Sequence, residues 1–206
     1  MKKIVLLIMG LMGTVIYAEQ NAITDTGEKV ILHTDKTWEY SKQTTKIEIT
    51  TNTEKFATPE NAKFLLKSTK NNTACWLNSD LWSFEKASSN AAAEYKFRLK
   101  GSDLYAMSVA EAVPIPMESL SNIALKNARD VAPDVKIVRR EYRVVNGTKV
   151  LFMEMKGTTQ GIKFTYLGYY YSDDLGSTQL VTYTGTNLVK KYKSKMMDFL
   201  NGFTIQ

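Results

Sequence analysis

Apolar positions recur along this chain with two periods, one of two residues and one near 3.6. The shorter period dominates. It is clearest where Ile162, Phe164, Tyr166, Gly168 and Tyr170 alternate with Lys163, Thr165, Leu167, Tyr169 and Tyr171. Side chains alternate across a strand, so each set takes its own face. Tyr95 to Leu99 alternates as strictly. Leu104 to Val113, Val135 to Val145, Thr148 to Lys156 and Gln179 to Thr184 read as further strands, with Leu151, Met153 and Met155 on one face. Thr73 to Leu77 is a shorter one, ended by Asn78-Ser79-Asp80. Leu81 to Phe84 reads as a single turn or an irregular loop. Between the strands lie the turns Gly101-Ser102-Asp103, Asn146-Gly147, Gly157 to Gly161 and Asp173 to Gly176. Asn146-Gly147 is the strongest hairpin signal, because both residues tolerate the positive φ of a type I′ turn. Gly168 marks a bend or bulge within its strand.

The longer period predicts two helices. One runs from Met117 to Ala132, opened by Pro116 and stopped by Pro133, with Leu120, Ile123, Ala124, Ala128 and Val131 on its apolar face. The other runs from Asn187 to Leu200. Leu188, Tyr192, Met196 and Phe199 form its buried stripe, and Asn201-Gly202 stops it. Phe203 and Ile205 suit a short closing strand. Antiparallel strands with segregated helices predict an α+β domain, a curved antiparallel sheet covered by two main helices.

The N-terminal third reads differently. Lys2 and Lys3 precede an apolar run from Ile4 to Tyr17, and Ala18 closes an Ile-Tyr-Ala triplet before Glu19. Two cations, a short apolar core and a small terminal residue predict a secretory signal peptide over residues 1–18. Residues 19–41 predict a β-hairpin, Lys29 to His33 and Thr37 to Tyr40 around Thr34-Asp35-Lys36. Residues 42–61 are rich in Thr, Lys, Glu and Asn and read as a linker. The main domain then spans 62–206.

Part of the chain is similar to known proteins. Gly27 to Leu32 with Thr37 to Tyr40 resembles an N-terminal hairpin of small exported bacterial proteins of unknown function. From about Phe64 to Phe203, the chain resembles the PsbP and DcrB-like group of α/β/α sandwiches. The residues that carry this are Trp76, Asn78 and Trp82, Tyr142 to Gly147, Tyr166 to Tyr171, Leu180 to Thr184 and the closing helix before Phe199 to Phe203. The resemblance covers about two thirds of the chain, by element order more than by motif. It implies a non-enzymatic exported accessory or binding module, and it transfers no site residues.

Composition narrows the chemistry. Removing 18 of the 206 residues leaves 188, enough for one self-supporting core. No later run is apolar enough for a membrane span, which needs ~20 residues. The full chain carries +6, and loss of Lys2 and Lys3 leaves +4. That excess is mild and lacks the basic stripe of a nucleic-acid binder. The single cysteine, Cys75, sits in an apolar run and reads as a buried thiol. The single histidine, His33, lies in the hairpin and reads as a surface residue. One His and one Cys cannot build a typical zinc site. Asp173-Asp174 lacks the acidic spacing of a calcium loop and reads as a solvated turn. No glycine pattern matches a phosphate loop. No cofactor is expected.

The tyrosines are the feature that points to function. Tyr169 and Tyr171 share a face opposite Tyr166 and Tyr170, with Tyr142 and Tyr183 on candidate neighbouring strands. One set belongs beneath a helix, and the other either lines a groove or a partner surface or is itself covered by helices and loops. Tyr169, Tyr171 and Trp82 are the candidate interaction surface if one face stays open. The lysines of the last helix are expected to be solvated, the alternative being weak contact with an anionic membrane surface or envelope polymer. These readings predict a periplasmic or secreted binding module for a protein or envelope component. The alternative is a carrier of a small apolar ligand in a cavity between sheet and helices.

Overall fold

Residues 20–24, 29–40, 48–88 and 92–206 are described in this computed structural model. The leader expected over residues 1–18 lies outside them. The chain divides into two units, residues 1–24 with 28–44, and residues 25–27 with 45–206.

In the first unit, β2 (Lys29–Leu32) and β3 (Trp38–Tyr40) form the expected hairpin. The Asp35 carboxylate accepts the Thr37 backbone N–H at 2.9 Å, and Lys36 takes the positive φ of 70° that closes the turn. A third strand, β1 (Gln20–Ile23), pairs antiparallel with β2.

The second unit holds the main body. Its strands are β4 (Thr50–Phe56), β5 (Phe64–Lys67), β6 (Thr73–Leu77), β7 (Trp82–Lys86), β8 (Tyr95–Leu99) and β9 (Tyr105–Glu111). Helix α1 (Met117–Val131) precedes the meander β10 (Lys136–Val145), β11 (Thr148–Thr159), β12 (Ile162–Asp173) and β13 (Gly176–Gly185). A 3-10 turn, Thr186–Leu188, leads into α2 (Val189–Leu200) and the short β14 (Phe203–Ile205). Eight strands make one open sheet in the order β4-β10-β11-β12-β13-β9-β8-β7, and β14-β6-β5 make a small second sheet. Every pair is antiparallel except β4 with β10.

Each face of the large sheet has its own core. Leu120 and Ala124 of α1 pack with Leu151, Met153, Met155, Phe164 and Tyr170. On the other face, Tyr192, Met196 and Phe199 of α2 pack with Phe152, Leu167, Tyr169 and Leu180, joined by Cys75, Leu77 and Phe203 of the small sheet. This is the α+β sandwich that the two periods predict.

Five local expectations are corrected. Residues 42–61 include β4, which pairs with β10; as an edge strand it buries little, so its sequence stays polar. Leu81 to Phe84 is not a loop from Trp82 onward, because Trp82 opens β7 and packs its ring 4.5 Å from that of Phe199. The turn expected over Gly157 to Gly161 narrows to Gln160-Gly161, at φ 48° and 79°, with strand continuing to Thr159. Val131 is 70% exposed, and Ala132 and Val135 are the residues buried in the α1-side core beside it. Gly168 carries no bulge: its register with β11 and β13 is unbroken, and a Cβ there would press on the Tyr170 ring at 3.0 Å.

Candidate functional site

The candidate interaction surface of Tyr169, Tyr171 and Trp82 is core instead. All three lie beneath α2 and the small sheet, with 1%, 9% and 4% of their surface exposed. Tyr169 donates its hydroxyl to Asn201 Oδ1 at 2.8 Å, and burial raises its pKa. Tyr171 packs its ring 5.3 Å from Phe203 and donates to Asp173 at 3.0 Å. Burial, then the Asp173 carboxylate, pushes the Tyr171 hydroxyl up to about 12. The alternation of β12 was legible, but which face would be covered was not. On the opposite face Tyr170 is buried under α1, and Tyr142 donates to the Glu118 carboxylate of that helix.

What remains accessible is the far half of the α1 face. Helix α1 packs chiefly on β11 and β12. Beyond it, Tyr166 of β12, Tyr183 of β13 and Tyr105 of β9 are direct cross-strand partners, and Arg98 of β8 stands opposite Tyr105. The four side chains form one row across four strands, about 15 Å long at the usual strand spacing. The rings of Tyr166 and Tyr183 are 5.4 Å apart, and those of Tyr183 and Tyr105 are stacked at 5.6 Å with 22° between their planes. Phe164 meets Tyr166 edge-on at 4.9 Å. The Arg98 guanidinium carbon lies 5.4 Å over the Tyr105 ring.

This row is half-buried at its tyrosines and exposed at Arg98. Cross-strand aromatic pairs contribute about 0.5–1.5 kcal/mol each beyond burial, which favours the stacked row in the free chain. Partial burial raises the pKa of Tyr166 and of Tyr183, with neighbouring tyrosines adding to it. At neutral pH their hydroxyls therefore remain protonated donors. Flat rings, hydroxyls and one guanidinium can hold a partner by stacking and hydrogen bonding. They supply no nucleophile and no base.

The other candidates are structural. The Cys75 thiol is buried, and burial pushes it up to about 12. His33 sits at the hairpin turn, 4.0 Å from Glu39. Asp173 accepts the Asn72 side chain at 2.8 Å and the Leu175 backbone at 2.9 Å, which makes it a turn anchor. Among the described residues no group of three His, Cys, Asp or Glu stands close enough to hold a metal. None of the described helices is long and apolar enough to cross a membrane. A pocket of about 330 Å³, counted with its open mouth, lies between the two sheets, not between sheet and helices. Leu66, Phe97 and Leu180 line it, together with Glu94 and Ser108, whose buried Oγ lacks a partner among the described residues. Glu94 is already bonded to Ser68 and Thr69, and a second cleft of about 300 Å³ lies against α2, lined by Leu77, Trp82 and Phe199.

Sequence reasoning named Tyr166 and Tyr183 but missed Tyr105 and Arg98. The cross-strand register joins all four, and only the strand order β12-β13-β9-β8 creates it.

No protein-family model and no curated protein matches the sequence. Among solved structures, the chain is similar to the cyanobacterial PsbP protein (CyanoP) of Synechocystis sp. PCC 6803, with a TM-score of 0.56. The two are 13% identical, over 69% of this chain and 92% of that one. A protein of unknown function from Pseudomonas aeruginosa, described as a putative regulator, has 11% identity over 55% and 75% of the two chains and a TM-score of 0.39. A protein from Bacteroides thetaiotaomicron has 6% identity over 66% and 45%, with a TM-score of 0.40. The resemblance of residues 64 to 203 to the PsbP group is thus one of architecture, and this chain has a PsbP-like α+β fold.

Proposed function

We propose that this protein is a non-enzymatic binding or accessory module, exported by its leader and working in the periplasm or outside the cell. The row Tyr166–Tyr183–Tyr105–Arg98 is its contact surface for a protein partner, and this row is the observation that carries the reading. Tyrosine and arginine are enriched at protein interfaces and among their hot spots, and these are already packed against one another. The leader's two cations and short apolar core support export. A buried, un-ionised Cys75 and a single histidine in the hairpin support a non-catalytic role.

Export is tested by the mass of the product recovered outside the cytosol, expected to begin at Glu19. Contact is tested by placing a photo-crosslinking residue at Tyr105 and recovering the adduct from envelope extract of the native host. Affinity for the protein so identified should fall about 30-fold in Tyr105→Ala/Tyr183→Ala, the size of an interface hot spot. A leader retained on a cytosolic product would overturn export. Unchanged affinity in the double variant would overturn the contact surface.

A further inference from the structure

Three cations gather at one carboxylate, Glu154, on the α2 face of the large sheet, away from the tyrosine row, and a fourth, Lys136, stands opposite one of them. Arg139 of β10 pairs directly with Glu154 of β11, and Lys136 pairs directly with Lys156. A register shift between Ile137 and Arg139 creates this arrangement. Without the extra residue, Val138 would stand opposite Glu154. Bulges re-aim side chains in this way and are common beside functional sites.

Helix α2 adds Lys193, whose Nζ lies 3.7 Å from Glu154 Oε2, while Lys156 Nζ lies 3.2 Å from Oε1. Arg139 rests over the Phe152 ring, its guanidinium carbon 5.1 Å from the centroid. Among the described residues neither Arg139 nor Lys136 has a carboxylate within 4 Å. The nearby Arg143 is already paired, 2.6 Å from Glu141. Three of the four cations therefore meet at Glu154, and the fourth, Lys136, acts on the Asp134 carboxylate close to it in the chain. Two of them, Lys136 and Lys156, are opposed like charges that cost the sheet stability. Burial holds the Lys193 ammonium below its ordinary pKa; Glu154 opposes this, and Arg139, Arg143 and Lys156 add to it. Lys156 and Lys193 are 45% and 40% exposed at their side chains, so the excess charge is open to solvent.

We infer that Lys136, Arg139, Lys156 and Lys193 form a binding site for a phosphate-type oxyanion. Arginine supplies a planar fork for such a group, and the lysines supply mobile point charges. Glu154 holds two of the ammonium groups in place and offsets one charge of the four. The site shares no residue with the tyrosine row, so either reading can fail alone.

The test uses the full mature protein. Inorganic phosphate is titrated by calorimetry, and vesicles of phosphatidylcholine with or without phosphatidylglycerol are sedimented with the protein. Phosphate binding should weaken about tenfold for each of Lys156→Gln and Lys193→Gln, and stay within about twofold for Lys126→Gln on α1. Melting curves confirm that each variant is folded. Phosphate binding without vesicle binding assigns the site to a soluble or polymer-borne oxyanion. Vesicle binding that requires phosphatidylglycerol and falls in the same variants assigns it to a lipid headgroup. Absence of both, or equal loss in Lys126→Gln, overturns the site.

Discussion

Arg143 and Glu141 are 4% and 6% exposed, and both are charged. Burying an ion costs several kcal/mol unless partners restore what water supplied. Here Arg143 Nε donates to Glu141 Oε1 at 2.7 Å, Asn52 donates to the same oxygen at 3.2 Å, and the guanidinium carbon lies 3.6 Å from the Phe152 ring centroid. Burial raises the Glu141 pKa, but the hydrogen bonds from Asn52 and Arg143, with the Arg143 charge, outweigh it and hold the carboxyl below its ordinary value. A depressed acid contributes stability above its unfolded pKa, about 4.3, and loses it as pH falls through the lower folded value. Stability should therefore drop on acidification below about pH 4. Glu141→Gln should cost about 3 kcal/mol at pH 7, by stranding the arginine, and should flatten the acid slope. Urea unfolding at pH 7 and pH 3 reads both effects. Gly202 is a second residue with a tertiary cause. A Cβ there would overlap the Trp76 carbonyl oxygen, so Gly202→Ala should lose about 2–3 kcal/mol. Gly101→Ala, at φ 65° in open space, should lose about 1 kcal/mol by the same measurement.

Among the elements, the Asn146-Gly147 hairpin shows how much a turn signal leaves unsaid. The two residues take φ of 50° and 83°, as a type I′ turn requires. The Asn146 side chain also donates to the carbonyls of Asn201 and Phe203 at 2.9 and 2.7 Å, and accepts the Thr58 N–H at 2.8 Å. It thus ties the end of α2 and the start of β14 to the segment after β4. Asn146→Gly keeps the turn and removes the ties, so a loss of about 2 kcal/mol is expected on chemical unfolding. An unchanged midpoint would show that the turn alone is what the position serves. The long strands were readable because half their residues face a core. Strand β4 was not, since its bonds run through backbone to β10 and only Asn52 and Phe56 are half-buried. Nor was β7, where Trp82 alone is buried.

For the whole molecule, β4 sets where the main body begins. A chain starting at residue 48 should melt within a few degrees of the mature protein. One starting at residue 58 loses β4, Asn52 and Phe56, bares the edge of β10, and should melt about 10 °C lower and aggregate more readily. Equal melting of the two would return residues 42–61 to the status of a linker. Periodicity and turn chemistry, both local, were enough to specify the α+β class, the long strands and two helices of the main body, and a buried Cys75, but not β4, β7 or the last apolar position of α1. Charge balance is likewise written in composition, and so is the expectation of a leader. The covered and open faces were settled only when α1, α2 and the small sheet came down on the large one. A strand's alternation is symmetric between its two sides, so it separates Tyr166 from Tyr169 without saying which meets water. Strand order and one bulge, neither encoded within a single segment, then placed the tyrosines in a row and gathered the cations around Glu154.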